Sequence, residues 1–287
     1  MREISPEIKV RASLSRVRIG VLLLFCFAAC KKEEQQLPLE RFCFATEYQE
    51  SLHSAEMAAR IAAIEDFTQH AAAHHSRSIV TIPVVVHVLW NTAAQNISEE
   101  QVRSQLAVLN EDFRMLNADR ANTLAQFLPL AADCGIEFCL AATAPNGSAT
   151  SGITRTQTAT TVFTNLSAMK FTASGGQDAW NTAHYLNLWV CNISGYLGYS
   201  SFPASAGQPT DGCVIRYTTF GRTGRGNGRI TTHEVGHYLN CYHLWGDDNG
   251  ACTGTDYVGD TPNQDDAFYV CDLLRSSCGT ANMAQNY

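Results

Sequence analysis

Two histidines spaced by three residues, with a glutamate after the first and a third histidine further on, constrain this chain more than any other feature. They lie in Ile230-Thr231-Thr232-His233-Glu234-Val235-Gly236-His237-Tyr238-Leu239-Asn240-Cys241-Tyr242-His243. On a helix, His233 and His237 fall on one face, one turn apart, where they can share a metal ion. Glu234 sits beside them, close enough to reach a water on that metal without being a ligand. Zinc favours imidazole, and a catalytic zinc needs three protein ligands and an open position. His243 supplies the third ligand only if the helix stops. A continuous helix would carry it about 240° round from His237, off the shared face. The chain must therefore bend near Asn240, and after glycine asparagine best tolerates a left-handed helix exit.

Apolar patterning places this motif in a larger framework. Residues 79–90 form a β-branched run that reads as a buried strand, with Pro83 near its start. A helix follows: Ser98 can cap it, Gln101 completes a capping box, and Ile97 with Val102 makes a hydrophobic staple. Val102, Leu106, Leu109, Phe113 and Leu116 then form one apolar stripe. Further strands are expected at 136–141, 185–192 and 213–217. The result is an α+β arrangement, a mixed sheet with helices packed on it. Residues 41–75 read as a short helical segment through Leu52, Met57, Ile61, Ile64 and Phe67, with His70, His74 and His75 as a solvated tail. The glycine-rich stretch 224–228 lacks the Lys-Ser/Thr of a phosphate loop and reads as a flexible lead into the histidine-bearing helix.

The front end reads as a targeting segment. Arg11, Arg16 and Arg18 precede the apolar run 19–29, too short for a membrane span, and small residues lead to Cys30. Residues 1–30 are therefore expected to be a signal peptide. Phe27-Ala28-Ala29-Cys30 resembles a bacterial lipobox, which would make Cys30 a lipid-bearing first residue; an ordinary signal cut nearby is the alternative. Either way the protein is exported, to the membrane as a lipoprotein or as a secreted product. The formal charge of -7 argues against nucleic acid as a partner. In an oxidising compartment some of the cysteines should pair, yet those after Cys30 (Cys43, Cys134, Cys139, Cys191, Cys213, Cys241, Cys252, Cys271 and Cys278) are odd in number.

The pattern His-Glu-x-x-His-x-x-Gly-x-x-His is that of the metzincin zinc endopeptidases, and the surrounding words resemble the pappalysin family, in particular its cytophagalysin-like and ulilysin-like branch. The resemblance also runs through 81–88, 109–114, 185–190, 197–203, 228–232 and 259–262. It implies a metzincin-type fold: a twisted mixed sheet with a backing helix and an active-site helix, and a substrate cleft between upper and lower subdomains. It implies that an edge strand around 197–199 pairs with the substrate backbone. His233, His237 and His243 match the family's zinc ligands and Glu234 its general base; Asn240 stands where the family has glycine. Asp256, Asp260 and Thr261 fall in the family's calcium-binding loop, so calcium is a further candidate beside zinc.

The same resemblance bears on regulation. Arg41-Phe42-Cys43-Phe44-Ala45-Thr46-Glu47 is similar to a propeptide word whose cysteine can occupy zinc's fourth position, although Phe44 and Ala45 depart from it. Residues 31–78 are thus expected to be a linker and propeptide-like segment, with an exposed joint at 76–78, and residues 79–287 the metalloprotease domain. Cys252 and Cys278 match a family disulfide. The family continues past Asn-Tyr into Met-Asp-Tyr, so the Met-turn, a tyrosine and the partner of Cys271 would all lie beyond Tyr287, and the chain reads as truncated. The expected activity is zinc-dependent hydrolysis of protein or peptide substrates through a zinc-bound water. The alternative is a catalytically impaired, zinc-bearing surface protein used for binding. Specificity and oligomeric state stay open.

Overall fold

The strand β2 (Val80–Trp90) organises the molecule because its β-branched residues are buried on both faces of a sheet. The computed structural model describes residues 41–43, 54–70 and 78–279, apart from 124, 126, 249, 260 and 268–275. The expectations for the signal segment, Cys30, Asp260, Cys271 and the chain end lie outside these residues. Along one edge β2 pairs in parallel with β3 (Ile136–Leu140) and then β4 (Ile153–Gln157), end to end. On the other edge it pairs in parallel with β5 (Leu186–Cys191), which continues to β7 (Cys213–Arg216). β6 (Tyr196–Ser200) joins β7 antiparallel, completing the expected mixed sheet.

Alternation sorts the side chains into two cores. Val84, Val86, Val88, Leu186, Leu188, Val190 and Ile215 face one way and meet α2 (Glu99–Phe113) and α3 (Arg229–Tyr238). Leu89, Trp189, Cys191, Tyr199 and Val214 face the other way, under Phe163, Met169 and Ile193. In this second core the buried Lys170 ammonium donates to the Thr210 carbonyl at 2.7 Å and lies over the Trp189 and Tyr199 rings.

Three expectations need correction. Ser98 does cap α2, accepting the Gln101 backbone N–H, but the Gln101 side chain does not close a capping box; it donates to the Phe220 carbonyl. The apolar stripe ends at Phe113: Met115 takes a left-handed φ, the helix stops, and Leu116 is exposed. The segment 41–75 is not helical throughout. Arg41–Cys43 forms a strand, β1, and the helix α1 spans Ala55–His70, started by the Ser54 hydroxyl accepting the Met57 N–H.

β1 pairs in parallel with β6, setting Cys43 opposite Gly198. The outer edge of β6, expected to be open for a substrate, is therefore covered by the chain's own residues. α1 packs Met57 and Ile64 against Ala204, and its Arg60 donates to the Ala206 carbonyl.

Candidate metal centre

α3 carries His233, Glu234 and His237, and its placement is set by polar side chains of α2. Gln105, fully buried, donates to the Gly228 carbonyl and accepts from the Gly221 N–H and the Thr231 hydroxyl. Gly228, with φ 81°, starts the helix without a side-chain cap, and Gln105 ties the Gly228 carbonyl and the Thr231 hydroxyl to α2. Asp112 accepts from Thr232 at 2.7 Å and pairs with Arg229, which also reaches Asp119. Burial raises the Asp112 carboxyl to about 7 against the pull of Arg229. Gln105 and Asp112 thus fix both the start and the rotation of the histidine-bearing helix.

The helix ends as the motif requires. Asn240 has φ 77°, and Cys241 N–H returns to the Gly236 carbonyl. The left-handed residue turns the chain, and His243 swings back to the other two rings. The Nε2 atoms of His233, His237 and His243 lie 3.0, 3.1 and 3.3 Å from one another. Tetrahedral zinc with ordinary imidazole bond lengths would space its nitrogens by about 3.3 Å, so the donors fit that ion.

Tautomers agree. His237 Nδ1 lies 2.6 Å from the Cys241 carbonyl, which can only accept, so Nδ1 carries the proton and Nε2 offers a lone pair. His243 Nδ1 lies 3.0 Å from the Asp247 carboxylate and follows the same rule. Burial lowers His233 to about 3 and His237 well below the usual imidazole range, which keeps both in the neutral, ligating form. The Nε2 lone pairs of His237 and His243, converging on one point with His233 Nε2 beside them, suit a shared cation.

Glu234 is fully buried and its carboxyl is pushed well above the ordinary range by desolvation. Its Oε1 has no hydrogen-bond partner. Gly198 explains how it fits beneath the sheet edge: a Cβ there would lie 3.0 Å from both Cγ and Oε1 of Glu234. Cys43 completes the group. Its Sγ lies 3.3 Å from His237 Nε2 and 3.5 Å from Glu234 Oε2, and the four potential ligand atoms lie within 4.8 Å of one another. Among the described residues this is the sole cluster of three or more His, Cys, Asp or Glu suited to a metal.

Of the calcium candidates, Asp256 accepts the Thr261 hydroxyl at 2.7 Å and the Val258 N–H at 3.0 Å, while Asp260 is outside the described residues. Cys252 and Cys278 form the expected disulfide. Sequence reasoning missed Gln105, Asp112, Gly198 and Asp247. The first two were hidden inside a helix read only for its apolar stripe.

The comparisons with known proteins agree with this geometry. The family Peptidase_M43, described as pregnancy-associated plasma protein-A, matches residues 173–286. An extracellular metalloprotease of Pyricularia oryzae is 30% identical over 281 residues, covering 92% of this chain and 84% of its own length. One from Arthroderma benhamiae is 29% identical over 243 residues, 78% of this chain and 75% of that protein. Among solved structures, mature mirolysin of Tannerella forsythia in complex with a cleaved peptide has 47% identity and a TM-score of 0.70, with 74% and 82% of the two chains covered. A promirolysin mutant from the same organism has 44% identity and a TM-score of 0.77, with 85% and 83% covered.

Proposed function

Because this chain belongs to the pappalysin family and is a metalloendopeptidase, we propose that it is an exported zinc endopeptidase with His233, His237 and His243 as ligands and Glu234 as general base. The observation that carries this reading is the convergence of three histidine Nε2 atoms beside a buried carboxyl with one oxygen unpartnered. Zinc, when bound, supplies Lewis acidity, acidifying water and polarising a carbonyl group. Glu234 Oε1 is the open acceptor for the proton of an attacking water, and the same carboxyl can pass that proton to the departing amine. A nearby dication would offset the burial that otherwise favours the neutral acid. The β6 edge offers backbone groups to an extended peptide, and the mirolysin bound to a cleaved peptide supports a peptide substrate by likeness.

In this state the site is latent. β1 occupies the edge of β6, and Cys43 Sγ stands where a fourth ligand would go. A thiolate there turns an open three-histidine site into a closed one. Residues 31–78 act as the linker and pro-segment and residues 79–287 as the peptidase. The relatives' description as extracellular supports export, with residues 1–30 as the signal and Cys30 as the lipid anchor.

Casein digestion with matched variants tests the reading. Cys43→Ser should cleave more than the parent zymogen, Glu234→Ala added to it should keep stoichiometric zinc and lose nearly all of that cleavage, and Cys30→Ser should leave the membrane fraction. Undiminished digestion by the double variant, or by Cys43→Ser after zinc is stripped with a chelator, would overturn the proposal.

A further inference from the structure

The three imidazoles differ in what stands behind them. His237 Nδ1 is held by a backbone carbonyl, and His233 Nδ1 has no hydrogen-bond partner among the described residues. His243 alone of the three is backed by a carboxylate: both oxygens of Asp247 lie 3.0 Å from its Nδ1.

That contact is built rather than incidental. After His243 the chain closes a turn, with the Gly246 N–H donating to the His243 carbonyl at 3.0 Å. Gly246 (φ 59°) and Asp247 (φ 51°) are consecutive left-handed residues, a conformation glycine adopts freely and few other residues tolerate. Gly246 is pressed against the neighbouring strand of loop: a Cβ there would fall 2.3 Å from Thr255 N and 2.5 Å from Gly254 Cα. Between them, Trp245 stacks on the imidazole with ring centroids 4.0 Å apart and an 11° tilt. The turn therefore holds the His243 ring in its plane by stacking and in its tautomer by the carboxylate.

We propose that Asp247 is a positioning residue for the metal site, which keeps the His243 proton on Nδ1 and strengthens Nε2 as a donor to the cation. The inference rests on His243 being a ligand, as argued above. The His243 side chain is 5% exposed and that of Asp247 30%, so the contact is not a solvent-exposed surface pair whose chief effect would be on folding. A carboxylate behind a ligating histidine acts instead on the metal, where its removal costs about 10–100-fold in affinity.

The test must separate carboxylate loss from turn strain. Asp247→Gly removes the carboxylate while easing the positive φ, and Asp247→Asn keeps an acceptor for Nδ1–H in a residue that tolerates the same conformation. Zinc affinity of the full chain is read by competition with a chromogenic chelator, alongside His243→Ala. Asp247→Gly should lose about 10–100-fold in zinc affinity, with Asp247→Asn recovering part of it. The melting temperature of the zinc-free protein should hardly change in either. Zinc affinity of Asp247→Gly within twofold of the parent, while His243→Ala loses it, would overturn the role of Asp247. Unchanged zinc binding in His243→Ala would instead overturn the ligand set on which the inference rests.

Discussion

The chain before Asn240 and the chain after it are held together by different physics. Up to Leu239, the sheet and its two helices bury Trp189, Tyr199, Phe202, Phe220, Leu109 and Leu188 almost completely. After Asn240, Cys241 is the one hydrophobic residue buried among the described residues. Order there comes from local polar chemistry. The Asp248 carboxylate accepts the N–H groups of Ala251, Thr253 and Gly254, Ser277 bridges to Asp265, and a disulfide joins Cys252 to Cys278. Asn240, Asp247, Cys252, Tyr257 and Cys278 all carry positive φ. The candidate metal centre straddles this divide. Apolar burial positions His233 and His237 through α3, whereas turn geometry positions His243.

Damage to the two regions should therefore look different, and the largest effect belongs to the framework. Leu188→Ala empties a fully buried site on a central strand and should cost about 3 kcal/mol, seen as a lower urea midpoint for the whole chain. A loss below about 1 kcal/mol would show that burial in the sheet is not what sets global stability.

Acid should strike the same framework. His87 is buried on β2 between Thr154 and Asn187. Asn187 Oδ1 also accepts the Trp180 backbone N–H, so His87 donates from Nε2, and the Thr154 hydroxyl is the partner of Nδ1. Burial lowers its pKa to about 4, against 6.5 for the free group, with the Asn187 bond opposing only in part. Because the unfolded chain takes up the proton first, stability is complete above pH 6.5 and is lost as pH falls towards 4. The loss should reach about 2 kcal/mol at pH 5. His87→Gln should flatten that slope in zinc-loaded protein; an unchanged slope would remove His87 as its source.

The smallest effect is expected at the boundary. Asn240→Ala forces a less tolerant residue into the left-handed exit, a local cost of about 1–2 kcal/mol. It also removes the bond from Asn240 Nδ2 to Glu65 on α1, at 2.9 Å. Limited proteolysis should cut after residue 240 sooner, with the urea midpoint nearly unmoved. Asn240→Gly should resist cutting better than Asn240→Ala. Equal resistance in all three proteins would mean that the bend does not depend on this residue's conformation.

Much of the site was legible because its parts are close in sequence. The histidine spacing demanded a helix and a break, and both occur where expected. The long strand β2 announced itself through a continuous β-branched run, which marks burial on both faces. The misses follow from long-range choices. Gln101 carries a capping-box signature, yet its amide reaches Phe220, more than a hundred residues on. Residues 41–43 have no strand signal of their own and become a strand only because β6 offers an unpaired edge. Asp247 lies close to His243 in sequence, but consecutive left-handed residues carry no periodicity to read.

Sequence alone determined the three candidate ligands, the helix that aligns two of them, the need for a bend at Asn240 and the α+β framework. Those depend on interactions within a few residues or on the simple periods of helix and strand. Tertiary structure decided what stands around the ligands: Gln105 and Asp112 aiming the helix, Gly198 yielding space to Glu234, Cys43 closing the centre, and Asp247 behind His243. All but the last join segments far apart in sequence, whose approach depends on how the sheet and its loops pack, and the last depends on a left-handed turn that no simple period encodes.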